Sequence, residues 1–328
     1  MNVRFVISIV LSLSSYAFAQ ETLQSGGEIG QSAQVVANTG VAFKHRLMER
    51  IALDVAAVRR SEAAHVGNVE LSKAYEQLGL LYEDAAAWEQ SEAALQHAIS
   101  LLGTEPNEEV AEAFSALGNL HLLMGKMRES EKEELKALKI RQDLGDRLQI
   151  ARSWNDLAVF NLQKQKFDKA IDFARRAEAE FVANEQASAM DRISVRLALA
   201  EALCSLKDCA SAIPMLKATL QEATATLQRE ELPVGFSNFL LGYAYWKSGE
   251  MSLAGEYLER GTTLMSVRLG WGHPSYLKAL AHYAQFLREN RRIEAAKVVE
   301  RQIRQAQAVV DVHSLQTSQG MFSSNGLR

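Results

Sequence analysis

The chain has 328 residues, a formal net charge of −4 and four prolines, and its composition, rich in Ala, Leu, Glu and Gln, favours helix throughout. The weak acidic bias argues against a nucleic-acid partner, because nucleic-acid binding needs a clustered basic face. The length suits two ordinary domains, but a single repeat array also fills it.

A secretory signal peptide is expected at residues 1–19. Arg4 supplies the positive start, residues 5–13 are apolar, and Ala-Phe-Ala at residues 17–19 forms a small-x-small cleavage pattern. The apolar run is shorter than the roughly 20 residues that a membrane-spanning helix needs. We therefore expect cleavage before Gln20 and an exported mature protein, periplasmic or secreted, with no membrane insertion.

The segment after the cleavage site contains a leader and then one helix. Residues 20–40 are polar and rich in Gly and Ser, so we expect a flexible leader. Residues 41–70 carry apolar side chains near a helical period and then lose it. We expect a capping helix and a linker there, covering the N-terminal end of whatever follows.

A small residue returns six times between residues 71 and 304. These residues, which we call the key positions, are Gly79, Gly118, Ala158, Ala200, Gly242 and Ala284. A second small residue follows each by twelve positions, namely Ser91, Ser130, Ala170, Ala212, Ala254 and Ala296. Such a period indicates stacked helix pairs, each a first helix, a short turn and a second helix. From residue 305 to 328 the pattern dissolves, and we expect a disordered tail.

The repeats resemble tetratricopeptide repeats. In the first repeat Tyr75, Leu78, Gly79 and Tyr82 hold the family's aromatic, leucine and small positions. The later steps of 42 residues and the linker at residues 269–274 are similar to the kinesin light chain-like subtype. The resemblance implies an all-α fold, a right-handed superhelical α-solenoid of about six tetratricopeptide helix pairs plus the capping helix. It also implies protein binding rather than catalysis.

No catalytic motif or cofactor site is recognisable. The sequence has no HExxH, no GxSxG and no Gly-rich phosphate loop, so we expect no enzyme activity, no cofactor and no metal. Cys204 and Cys209 flank the predicted turn of the fourth repeat. Export would permit a disulfide between them, and two separate thiols are an equal alternative.

The resemblance implies that the first helix of each pair lines a concave groove. Residues about six and three before the key position, and one and four after it, would face inward. In the fifth repeat these residues are aromatic: Phe236, Phe239, Tyr243 and Trp246. In the other repeats they are mostly polar, with His282 adjacent: Asn119, Arg152, Asn155, Gln285 and Arg288. We expect an exposed aromatic hot spot with a polar rim. The alternative is that the rings pack between repeats or cover the C-terminal tail.

These observations predict an exported scaffold that binds a peptide segment or partner protein in its groove. Its role would be that of an adaptor or assembly factor of the cell envelope. The alternative is a structural solenoid that self-associates or organises a larger complex without using the groove. Homo-oligomerisation is therefore left open.

Overall fold

The computed structural model describes residues 33–320 except 86, 104, 228–231, 270 and 271. The predicted signal peptide and the first part of the predicted leader lie outside the described residues. The described part of the chain forms thirteen α-helices and no strand. In chain order they are α1 Ala33–Ala63, α2 Asn68–Asp84, α3 Trp88–Leu102, α4 Glu108–Leu123, α5 Met127–Leu144, α6 Arg147–Gln163, α7 Phe167–Ala183, α8 Ala189–Ser205, α9 Cys209–Thr226, α10 Leu232–Lys247, α11 Met251–Leu269, α12 Pro274–Glu289 and α13 Ile293–Gly320.

The helices after α1 pack as six consecutive pairs. Each first helix packs on the second helix of its own repeat, and each pair then packs on the next, from α2 to α13. Helix α1 packs on α2 and so covers the first repeat. The prediction of an all-α solenoid of six helix pairs with one preceding helix is therefore confirmed.

Side-chain caps set where several first helices begin. The side chain of Asn107 accepts a hydrogen bond from the Val110 amide at the start of α4. Ser188 forms a capping box with Asp191 at the start of α8. Pro274 occupies the first turn of α12, where a missing amide hydrogen costs nothing. The linkers between repeats thus contain their own start signals.

The turns inside the pairs need a left-handed residue. Gly125 and Gly249 supply it in the second and fifth repeats, with φ of 74° and 90°. In the third, fourth and sixth repeats Gln165, Lys207 and Arg291 adopt φ of 55°, 69° and 57°. The turn geometry is therefore common to these repeats, although glycine is not.

Small residues allow the two helices of a pair to approach closely. The small residues twelve positions after the key positions are all nearly or completely buried. One of them, Ser91, donates a hydrogen bond of 2.8 Å to the Gly79 carbonyl. The closest approach is between α10 and α11. A Cβ on Gly242 would lie 2.6 Å from the Leu258 backbone nitrogen, and one on Gly261 would lie 2.5 Å from that of Phe239.

Two helix boundaries differ from the sequence prediction. Helix α1 begins at Ala33, so the last part of the expected leader is helical. Helix α13 runs to Gly320, so most of the segment expected to be a disordered tail continues the last helix. Both extensions contain Ala, Val and Gln and no proline, so nothing in them forces a helix to stop. In the described part of the chain, no helix is long and apolar enough to span a bilayer.

Candidate binding groove

The first helices of the repeats form the inner layer of the solenoid. Contacts join α2 to α4, α4 to α6, α6 to α8 and α8 to α10 directly. No comparable contact joins successive second helices of the repeats within the described residues. Because the layer inside a curve has the shorter spacing, the surface of the first helices is concave. We call this surface the groove.

The prediction of an exposed aromatic hot spot is wrong for three of its four rings. Phe236 and Phe239 are 0% exposed, and Trp246 is 3% exposed. They belong to the main hydrophobic core, so the alternative that these rings pack between repeats is correct for them. The physical reason is the approach of α11, whose Gly261 lies against the Phe239 backbone. Helix α10 has apolar residues on nearly every side, and the close packing buries nearly every side.

Tyr243 remains partly exposed and forms a cluster with residues of the fifth and sixth repeats. Its ring meets those of His282 and Trp246 edge to face, with centroids 5.3 and 5.6 Å apart. The Lys247 ammonium lies 3.3 Å from the Trp246 ring centroid. Trp246 donates a 2.8 Å hydrogen bond from Nε1 to Glu289. The structure therefore brings together two of the predicted groove residues, Tyr243 and His282, above a third that is buried.

Burial decides the protonation of this cluster. It lowers the pKa of His282 to about 4, and the ammonium groups of Lys247 and Lys278 act in the same direction. It raises the pKa of Tyr243 to about 12, assisted by Glu201. It also lowers the pKa of Lys278, although Glu201 opposes this. At neutral pH His282 is uncharged and Tyr243 keeps its proton, so both can donate a hydrogen bond.

The predicted polar residues of the third repeat lie between first helices, where they join neighbouring repeats. Arg152 binds Asp191 of the next repeat through two hydrogen bonds, of 2.9 and 3.1 Å. Asn155 donates a 3.1 Å hydrogen bond to the Ser194 hydroxyl, and its own Oδ1 has no hydrogen-bond partner. Asn119 is buried. Of these predicted groove residues, Arg152 is the most accessible, with a side chain 38% exposed.

The two predicted residues at the C-terminal end of the groove are exposed but differ in direction. Gln285 donates to Glu289 and so borders the Tyr243 cluster. Arg288 binds Glu300 of α13 through two hydrogen bonds, of 2.6 and 2.8 Å. Because that partner lies on the second helix of the same repeat, Arg288 does not join the other groove residues.

Two carboxylates at the N-terminal end of the groove were not identified from the sequence. Glu76 lies three residues before its key position and Glu112 six before its own, on neighbouring first helices. Burial, together with the charge of Glu112, raises the pKa of Glu76 to about 8. Burial also raises the pKa of Glu112. Their helical register relative to the key positions was a signal that could have identified both.

Further buried charges join the second repeat to its neighbours. Arg141 is 4% exposed and bonds to Glu108, Ser115 and Ser153. His121 is also buried, and its two ring nitrogens lie 2.9 and 3.2 Å from Glu133 and Glu92. These contacts connect residues distant in sequence, and the repeat pattern gave no signal for them.

Cys204 and Cys209 form a disulfide in the structure, with Cα atoms 4.2 Å apart. The bond connects the last turn of α8 to the first residue of α9, and both residues are buried. Of the two interpretations left open by the sequence, the structure therefore has the bridge. No group of three or more His, Cys, Asp or Glu suited to a metal occurs among the described residues.

Comparisons with known proteins identify the repeat type. Residues 109–179 and 237–264 match family models described as tetratricopeptide repeat. No curated protein sequence matches the chain. Solved structures are also similar to it, at sequence identities of 13–19%, which are low enough that the likeness concerns the fold alone.

One similar structure is BtubC (BKLC) from P. vanneervenii, at 19% identity, covering 70% of this chain and 93% of that one, with a TM-score of 0.54. Another is the Rap conjugation gene regulator of the plasmid pLS20 in complex with the Phr* peptide, at 13% identity, coverages of 94% and 84%, and a TM-score of 0.66. The third is a Rap protein complexed with Competence and Sporulation Factor, at 16% identity, coverages of 86% and 89%, and a TM-score of 0.58. The chain thus contains tetratricopeptide repeats, stacked as an α-solenoid.

Proposed function

We propose that this protein is an exported, non-enzymatic scaffold that binds a peptide segment of a partner protein in its groove. The role would be that of an adaptor or assembly factor of the cell envelope. The observation that carries the proposal is the set of fixed polar groups that the groove holds in its third and fourth repeats. Arg152 is immobilised by Asp191, and Asn155 by Ser194. Little ordering entropy is lost when such groups bind a ligand.

Asn155 also has an unfulfilled hydrogen-bonding capacity. Its side chain is buried, with 8% of the residue exposed, and its Oδ1 accepts no hydrogen bond in the described structure. An unpaired buried acceptor costs free energy, but this atom has almost no accessible surface for a ligand to contact, so the accessible polar group of the set is Arg152, whose side chain is 38% exposed. A guanidinium group suits ligand binding because it pairs with backbone carbonyls regardless of the ligand's side chains.

Two of the similar solved structures support the same use of the fold. The pLS20 regulator is in complex with the Phr* peptide, and the Rap protein is complexed with Competence and Sporulation Factor. Their sequence identities to this chain are 13% and 16%, so they support a shared binding mode through the fold and not through matched residues.

Export is supported by the disulfide and by the first residues of the sequence. Disulfides such as Cys204–Cys209 persist mainly in oxidising compartments outside the cytoplasm. Residues 1–19 have the charge, apolar run and cleavage pattern of a signal peptide. N-terminal sequencing of the protein recovered from cell fractions tests this part. A mature chain that begins at Gln20 in an exported fraction is expected, and an uncleaved chain in the cytoplasm would contradict it.

Site-specific photo-crosslinking in the native host tests the groove. A benzophenone amino acid replaces Tyr243, which is aromatic, partly exposed and in the groove. A matched control replaces Val182, which is 66% exposed on the second helix of the third repeat. We expect a partner to be crosslinked from residue 243 and not from residue 182. Equal crosslinking from both positions would contradict groove binding, and crosslinks only between copies of this chain would favour the self-associating structural alternative.

A further inference from the structure

We infer that the groove selects its ligand by the order of charges along it, with a basic side chain held at the first two repeats and a carboxylate held at the last two. This inference rests on the proposed function, because it specifies the chemistry of the segment bound there. It is carried by two sets of charged groove residues without an ion-pair partner among the described residues. It is also carried by the way that residues of one first helix align with residues of the next.

The register is established in the middle of the groove. Asn155 lies three residues before its key position and bonds to Ser194, which lies six before the key position of the next repeat. Glu76 and Glu112 have the same relation between the first and second repeats. The two carboxyl groups therefore face each other across neighbouring helices, in agreement with the effect of Glu112 on Glu76.

The acidic end of the groove has two carboxyl groups without an ion-pair partner among the described residues. Among the described residues, neither Glu76 nor Glu112 has an ion pair within 4.0 Å, and Glu76 is 9% exposed. The cations nearby are Lys73, Arg141 and Arg152, and each forms its ion pair with another carboxylate. Two like charges in so little water are unfavourable unless one is protonated or a cation is added. A Lys or Arg side chain of a ligand would provide that cation.

The other end of the groove presents ammonium groups. Lys278 lies six residues before its key position in the sixth repeat, the place that Glu112 holds in the second. Among the described residues, neither Lys278 nor Lys247 has an ion pair within 4.0 Å. The nearby acids act on these ammonium groups without an ion pair within 4.0 Å. The charge of Glu201 raises the pKa of Lys278 against the effect of burial, and Glu289, which accepts hydrogen bonds from Trp246 and Gln285, does the same for Lys247.

Neutral donors complete the basic end. The Tyr243 hydroxyl and one ring nitrogen of His282 carry protons at neutral pH, as shown by the direction of their pKa shifts. A carboxylate beside them accepts charge-assisted hydrogen bonds from lysine and ordinary ones from the ring groups. Such a carboxylate would be an Asp or Glu side chain or the free end of a peptide.

Between the two ends, the polar pairs that join the third and fourth repeats carry no net charge. Arg152 is compensated by Asp191, and Asn155 and Ser194 are uncharged. An extended segment with a basic residue at one end and an acidic group at the other therefore complements the whole groove. The same segment with its charges exchanged would place like charges together at both ends, which strongly disfavours binding.

The test is selection of displayed random 12-residue peptides on the folded mature protein. Enriched peptides are synthesised with capped ends, with a free carboxyl end, and with their basic and acidic residues exchanged. We expect one fixed charge order among them, and a loss of about tenfold or more in affinity on exchange. Affinity that survives capping assigns the carboxylate to a side chain, and affinity lost on capping assigns it to the chain end.

A pair of opposite substitutions makes the test sharper. Glu112→Lys with Lys278→Glu leaves the net charge unchanged and should invert the preferred charge order. Glu129→Lys with Lys169→Glu is the matched control, since both residues are exposed on second helices, and it should change nothing. Should the swapped protein not fold by circular dichroism, Glu112→Gln with Lys278→Gln replaces it and should abolish the preference.

The outcomes separate this inference from the proposed function. Enriched peptides without a charge order, or an order unaffected by the groove substitutions, would overturn the inference while groove binding stands. No enriched peptide at all would count against the proposed function itself. A wild-type dimer in sedimentation that binds no peptide would identify a second copy as the occupant and overturn both.

Discussion

Gly261 is the tightest point in the crossing of α10 and α11, and we expect Gly261→Ala to destabilise the protein. The added Cβ would lie 2.5 Å from the Phe239 backbone nitrogen and 2.7 Å from its Cα. No side chain can rotate to relieve contacts with backbone, so the helices must separate by roughly 1 Å to reach ordinary van der Waals distance. Overpacking of this kind costs about 3 kcal/mol at its upper end.

The gain in helix propensity from Gly to Ala offsets about 1 kcal/mol of this cost. The expected net loss is therefore about 2 kcal/mol, or a melting temperature roughly 4–8 °C lower. Thermal unfolding followed by circular dichroism at 222 nm measures it. We expect the loss to come from the fifth repeat, because Phe239 belongs to the core there.

Gly255→Ala is a control on the same helix. Its Cβ would lie 3.4 and 3.5 Å from two carbons of the Phe286 ring, which is ordinary contact. The higher helix propensity of Ala is then the main effect, and the free energy of unfolding of this variant should rise by about 0.5–1 kcal/mol. If Gly261→Ala proved as stable as Gly255→Ala, the inference that the glycine exists for helix approach would be refuted.

Four further changes test other parts of the structure. Replacing both Cys204 and Cys209 by Ser should lower stability by about 2 kcal/mol in urea unfolding, as expected for so short a loop, whereas thiol labelling of the native protein at full stoichiometry would contradict the bridge. His121→Leu should cost about 1–3 kcal/mol, since it removes the ring contacts of two carboxylates, Glu133 and Glu92, and unchanged stability would argue against those contacts. Gln165→Gly should gain about 0.5–1 kcal/mol by relieving a φ of 55°, and a loss would show that the turn is not strained. The folded-state pKa of Glu76 is raised to about 8 from 4.5, so the cost of ionising it in the folded protein is absent below pH 4.5 and complete above pH 8. Glu76→Gln should therefore stabilise the protein by on the order of 4 kcal/mol at pH 8 and not at pH 4.

The architecture was predictable because the same pattern of residues occurs in each repeat. A small residue at each key position, a second one twelve positions later and a turn between them place both helices of a pair. The structure buries these residues as expected, Ala212 and Ala254 completely. The disulfide could be proposed from the sequence as one of two alternatives, because Cys204 and Cys209 lie on the two sides of one predicted turn.

The exposure of the groove residues was less predictable because it depends on how deeply each helix is buried in the hydrophobic core. The position of Phe236 and Phe239 in the repeat implied exposure, but Gly261 on the next helix allows α10 to sink into the core. The charge network was missed for a related reason. Arg141 and Ser153 are partners only because two repeats stack, and no periodic pattern contains such a pair.

The ionisation of Glu76 and Glu112 offers a test between a binding scaffold and a purely structural solenoid. Burial opposes the ionisation of both carboxyl groups, so their charges lower the stability of the folded protein. In a binding scaffold, a cation of the ligand would offset this cost on binding. The two roles then differ in what one variant does to peptide binding. In a structural solenoid Glu76→Gln gains stability at neutral pH and loses nothing, whereas in a binding scaffold the same gain is accompanied by weaker binding of peptides with a basic residue.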